Sequence, residues 1–143
     1  GMAATHDAGE LDCIHPANKK AVGDRLGYLA LVNDYGIKGI DPNPPVFKSV
    51  EFDGEKARVK FSVGKMGLSP INMALPGFEL AGEDKVFHPA TARVVGDKSV
   101  IEVTSPEVKA PVAVRYGMRN WSEATLFNCS GIPASPFRSD NWE

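Results

Sequence analysis

A run of prolines and turn formers, Asp41-Pro42-Asn43-Pro44-Pro45, splits the sequence into two parts with different hydrophobic periods. Proline has no amide hydrogen and holds the preceding residue in extended backbone, so neither a helix nor a central strand passes through it. Ahead of this run, Val22, Leu26, Leu29 and Ala30 recur at three- and four-residue spacing among Lys20, Asp24 and Asn33, which predicts a helix from Pro16 to Tyr35. Pro16 suits the first helical position, and Gly36 suits the left-handed residue that ends a helix. Gly23 and Gly27 lie one turn apart and predict close approach of a neighbour, one that this chain need not itself contain.

Beyond Pro45 the period becomes two. Val46, Val50 and Phe52 lead to Asp53-Gly54, after which Val59, Phe61 and Val63 alternate with Arg58, Lys60 and Ser62, the pattern of a β-hairpin. Further strands are predicted at Phe78 to Ala81, Lys85 to His88, Thr91 to Val95, Val100 to Thr104 and Val112 to Tyr116. Short strands with regular turns point to a mainly β chain, an antiparallel β-sandwich preceded by one helix. From Gly117 the alternation fades, but Trp121, Phe127, Phe137 and Trp142 predict an ordered, packed tail.

With 143 residues the chain is long enough to bury a core without disulfide or metal staples. A formal net charge of -2, with no basic stripe, argues against nucleic-acid binding. No apolar stretch approaches the roughly 20 residues that span a bilayer, and no apolar leader is visible, so a soluble chain without membrane contact is expected. Gly1 ahead of Met2 reads as a residue left by tag removal. Cys13 and Cys129 lack the paired spacing of a zinc site, and neither metal nor cofactor is expected. The two cysteines are expected to stay unpaired, with Cys13 buried.

Asp12 and His15 precede the helix on a loop, three residues apart. Two readings are open. In a serine hydrolase a carboxylate accepts the histidine Nδ1 proton while Nε2 acts as general base; in a purely structural role both side chains would serve the free amides at the helix N-terminus. His6 and His88 have no second ligand at metal spacing and read as ordinary histidines. Arg115 and Arg138 are expected to pair with Asp84 or Glu79 rather than with a ligand. Asn120-Trp121-Ser122 and Asn128-Cys129-Ser130 match the glycosylation tripeptide, a frequent chance occurrence.

Taken together, Gly9-Glu10, Asp12-Cys13-Ile14-His15-Pro16-Ala17-Asn18-Lys19, Gly23-Asp24-Arg25-Leu26 and Tyr35-Gly36 resemble the last conserved block of sialate O-acetylesterases of the SGNH hydrolase superfamily. Gly77-Phe78-Glu79-Leu80-Ala81-Gly82, Phe87-His88-Pro89-Ala90, Ala113-Val114-Arg115-Tyr116-Gly117 and Gly131-Ile132-Pro133-Ala134-Ser135-Pro136-Phe137-Arg138 are similar to that family's C-terminal region. The resemblance implies hydrolysis of O-acetyl esters on sialic acids or related sugars, with Asp12 and His15 as two members of a triad. It further implies that residues 1–41 end an SGNH-type α/β domain and that 42–143 form a β-sandwich domain. The family's Gly-Asp-Ser nucleophile block has no counterpart here, and Ser62, Ser69 and Ser130 read as structural. The expected partners are therefore a missing upstream catalytic segment and an O-acetylated sugar, with the helix left free for self-association. The family is often exported, and the compartment stays open. The rival reading is a non-catalytic accessory sandwich that binds carbohydrate or braces a catalytic domain, with Trp121 or Trp142 as an aromatic platform.

Overall fold

A computed structural model describes residues 1–142. Among these, one helix precedes nine strands. Helix α1 (Lys19–Asn33) starts three residues later than the periodicity predicts, because Asn18 rather than a proline opens it: its side chain accepts the Ala21 amide at 3.3 Å. At the other end Gly36 takes φ +66°, and the Ile37 amide turns back to donate to the Leu31 carbonyl at 2.9 Å.

Strands β1 (Val46–Asp53) and β2 (Lys56–Ser62) form the expected hairpin. Asp53 pairs with Lys56 across a two-residue turn in which Gly54 adopts φ +57°, a conformation glycine reaches without a Cβ clash. The alternation in β2 is complete, with Ala57, Val59 and Phe61 buried and their neighbours exposed. Next come β3 (Leu68–Ser69), β4 (Leu75–Ala81), β5 (Phe87–Val95), β6 (Val100–Thr104), β7 (Ala113–Tyr116), β8 (Phe127–Asn128) and β9 (Phe137–Arg138). Two segments expected as separate strands are one, because β5 runs through Pro89. That proline pairs only with Glu79 of β4, whereas β6 begins to pair with β5 at Thr91. A residue without an amide hydrogen is tolerated where one flank of the strand has no ladder.

Seven strands form one antiparallel sheet in the order β1-β2-β6-β5-β4-β7-β9, and β3 with β8 make a small second one. The large sheet curls until its two ends meet. Phe47 of β1 stacks on Phe137 of β9 at 4.7 Å between ring centroids, and the Ser135 amide donates to the Pro45 carbonyl at 3.1 Å. The antiparallel sandwich is thus built from two halves of one nearly closed sheet. Phe61, Phe78, Leu80, Ile101, Val103 and Tyr116 fill the space between its faces.

The tail packs through Leu126, Asn128, Ile132, Ala134 and Phe137, whereas Trp121, one of the aromatics that predict its packing, is exposed. Asn128 is 2% exposed and its amide donates to the carbonyls of Asp41 and Asn43 at 3.1 and 3.0 Å, tying the proline-rich linker to the tail. Such an asparagine is no glycan acceptor. Arg115 does not pair with Asp84 or Glu79: it forks onto Asp140 at 2.8 and 2.6 Å and lies over the Phe87 ring. Hydrogen bonding from Arg115 holds the nearly inaccessible Asp140 carboxyl below its ordinary range. Arg138 donates to the main-chain carbonyls of Asp140 and Trp142. Both cysteines are free and both are exposed, contrary to the burial expected of Cys13.

Tyr116 joins these parts. Its ring is 1% exposed and stacks on Phe78, and its hydroxyl accepts the amides of Thr125 and Leu126 at 3.0 and 3.1 Å. Replacing it by phenylalanine keeps the packing but leaves two amides without an acceptor, each costing about 1–3 kcal/mol if still shielded from water. Tyr116→Phe is therefore expected to lower the urea midpoint at an unchanged m-value, with hydrogen exchange accelerated first at Thr125 and Leu126.

Candidate functional site

The loop from Glu10 to Pro16 is fixed by residues other than those singled out for chemistry. The Glu10 carboxylate accepts the Ala17 amide at 2.7 Å, which closes the loop against the start of α1. Glu10 also bridges to Cys13, whose sulfur accepts the His15 amide at 3.4 Å. Asp12 and His15 remain exposed, and among the described residues their side chains form no hydrogen bond to each other or to another residue. Asn18 caps the helix at the Ala21 amide and Glu10 holds the Ala17 amide just ahead of it, so neither Asp12 nor His15 caps the helix.

The segment before the loop is locked to α1. Arg25 is 7% exposed and donates to the Asp7 carboxylate at 2.6 Å and to the Ala4 carbonyl at 2.8 Å, a forked arrangement that fixes the segment to the helix. No local pattern in the sequence announces this pair, since its members are separated by 18 positions and each is an ordinary surface residue type. His6, between Ala4 and Asp7, is turned toward the sandwich. Its ring meets Tyr116 edge-on at 6.1 Å, and both ring nitrogens are buried without a partner among the described residues.

Between this segment and the loop after β7 lies a groove of about 470 Å³. Cys13, Ile14 and Pro16 form one wall and Gly117, Arg119 and Trp121 the other, so the residues flanking His15 stand at its edge. Gly117, at φ +64°, makes the turn; a Cβ there would press on Pro136 at 3.3 Å. Trp121 is 43% exposed, whereas Trp142 packs on Phe87 beneath Lys85, which leaves Trp121 as the tryptophan available for a platform. His88 pairs with Glu107 at 3.0 Å, away from this groove. Among the described residues no cluster of three or more histidine, cysteine or acidic side chains is placed to hold a metal ion.

Three serines are engaged structurally, while Ser122 lines the groove. Ser139 accepts the Val114 amide, Ser105 donates to the Pro89 carbonyl, and Ser130 accepts the Asp41 amide. The arrangement thus offers an imidazole and a carboxylate free on one exposed loop, a groove beside them, and no described serine hydrogen-bonded to the imidazole.

The fold and groove belong to a mainly β, antiparallel structure with one N-terminal helix. No family model and no curated protein matches the chain. Among solved structures, a carbohydrate acetylesterase from Xanthomonas citri is similar to it, with 44% sequence identity and a TM-score of 0.81 over 95% of this chain. The match covers 31% of that protein, so this chain spans about a third of its length.

Burial lowers the His6 pKa from its ordinary value of 6.5; Asp7 opposes the shift and Arg25 adds to it. The folded state therefore holds His6 neutral, and the unfolded state takes up its proton first as the pH falls. Stability from this contact is full above about pH 6.5 and is lost as the pH drops toward the depressed folded value. Urea unfolding is expected to show a lower midpoint at pH 5 than at pH 7.5, with His6→Phe reducing the difference.

Proposed function

We propose that this chain is the C-terminal part of a carbohydrate O-acetylesterase in which Asp12 and His15 complete a site whose nucleophile lies on an upstream segment. The observation that carries this reading is the 44% identity to a carbohydrate acetylesterase of which the chain spans 31%. The freedom of both side chains supports it, because neither is spent on capping the helix.

In that reaction His15 Nε2 removes the proton of the attacking serine hydroxyl and then returns it to the sugar oxygen as the acetyl–enzyme forms. Asp12 accepts the Nδ1 proton of His15 in a hydrogen bond, selects the tautomer and stabilises the imidazolium. Water then releases acetate with His15 again as base. The oxyanion donors, like the serine, belong to the upstream part. O-acetylated sialic acid is the finer substrate assignment within this class, as the resemblance of the Asp12 to Lys19 block implies.

The test is acetate release from an O-acetylated sialic acid, an acetylated neutral oligosaccharide and an aryl acetate, using this chain, a version extended through the upstream block, and His15→Ala in both. The extended chain is expected to turn over and to lose about 10⁴-fold or more on His15→Ala, and the short chain to be inert. Full activity of the extended His15→Ala protein would remove the catalytic role and leave the accessory-module reading. His15-dependent turnover by the short chain would place the nucleophile within it.

The upstream segment would dock on the outer face of α1. Of the apolar residues Val22, Leu26 and Leu29 on this helix, Leu26 is 53% exposed, while Val22 is half-buried and Leu29 is 5% exposed. Gly23 and Gly27 have open space above them, and Leu11, Ile14 and Tyr35 add to the exposed apolar surface. Without its partner this face is expected to drive self-association. Light scattering should show an average mass rising with concentration, and Leu26→Glu should return it to the monomer value.

A further inference from the structure

The hollow next to the candidate loop is not isolated. A second groove, of about 460 Å³, runs over Phe78, Pro89 and Met118, and the two share Gly117, Arg119 and Ser122 as lining residues. Each is of a size that takes a small ligand. Where they meet, the Arg119 Nε and Nη2 both donate to one oxygen of Glu79, at 3.1 and 2.6 Å. Among the described residues Nη1 of Arg119 and the second oxygen of Glu79 form no hydrogen bond, and the guanidinium side chain is 64% exposed. A fixed donor thus stands beside a fixed acceptor.

Three properties of this junction agree on one kind of ligand. An exposed indole such as Trp121 offers a flat apolar face, which the axial C–H groups of a pyranose with equatorial hydroxyls cover well. Adjacent sugar hydroxyls can accept from a guanidinium and donate to a carboxylate at once. The Arg119–Glu79 pair is neutral as a unit, so it suits an uncharged sugar; an anionic one would meet the Glu79 carboxylate. A single exposed tryptophan would need no explanation, but this one borders the groove that begins at the residues flanking His15.

We propose that Trp121 and the Arg119–Glu79 pair form a subsite for a neutral pyranose adjoining the acetylated one, so that the ligand is an oligosaccharide chain laid along the two joined grooves. This rests on the carbohydrate-ester reading for the choice of ligand class. It adds that the unit beside the scissile ester is held by this chain's own residues.

The test uses binding and does not depend on turnover. The sequence contains two tryptophans, so Trp142→Phe leaves Trp121 as the sole indole emitter. Titration of that protein with cellotetraose, whose hydroxyls are equatorial, is expected to give a saturable change in emission, and glucose to bind about tenfold more weakly. By calorimetry on the otherwise unaltered chain, Trp121→Ala and Arg119→Met are each expected to weaken cellotetraose binding by about tenfold or more, Trp121→Ala at an unchanged urea midpoint. No saturable change, or affinity unaltered in Trp121→Ala, overturns the subsite. If cellotetraose fails to bind while the extended protein still releases acetate through His15, the subsite alone falls. Trp121-dependent binding by a protein whose extended form releases no acetate upholds the subsite and strikes the ester reading instead.

Discussion

The buried ring of Tyr116 is the contact on which the remaining architecture depends. It sits at the end of β7, where the sheet, the tail and the N-terminal segment converge: Phe78 stacks on one side, Phe137 lies 6.1 Å away in the seam, and His6 approaches edge-on. Its hydroxyl accepts two tail amides, those of Thr125 and Leu126. One side chain thus satisfies hydrogen bonds, fills the core and seats the segment that leads to the Asp12–His15 loop. The groove takes its shape from the same contact, because its two walls are the segment behind His6 and the loop that leaves Tyr116 through Gly117.

The N-terminal segment is held by two contacts of opposite character. Arg25 clamps it to α1 through a forked ion pair largely out of water, which is directional and resists sliding. His6 fastens it to the sandwich by apolar contact alone, with its ring nitrogens unsatisfied, so that side of the attachment is the weaker one. The candidate chemistry therefore sits on a loop whose base is rigid and whose contact with the sandwich can be loosened.

What was legible in the sequence follows the range of the interactions involved. The β1–β2 hairpin declares itself because the alternation of Ala57, Val59 and Phe61 with charged neighbours is local, as is the turn at Gly54. β6 is legible for the same reason, with Ile101 and Val103 inward. β8 and β9 are two residues each and exist only because a partner strand is brought to them, so no local period marks them. The strands expected at Lys85 to His88 and Thr91 to Val95 are joined through Pro89, since whether proline interrupts a strand depends on which flank carries the ladder. At the candidate site, Asp12 and His15 are singled out by the resemblance of their block, and the structure leaves both exposed on one loop. Glu10, which shapes the loop, and the Arg25–Asp7 clamp were not, because each depends on a partner fixed only by the fold.

Closure of the large sheet has a further consequence, for aggregation. An open sheet ends in two rows of unpaired amides and carbonyls, a template to which any extended chain can add. Here the outer strands meet across the Phe47–Phe137 stack, the register of β1 is broken between Phe47 and Ser49, and Lys48, Glu51 and Asp53 place charge along what remains of its free side. Little flat edge is left for strand addition. A sheet protected in this way can be carried inside a longer polypeptide, or released from one by proteolysis, without becoming a nucleus for fibrils.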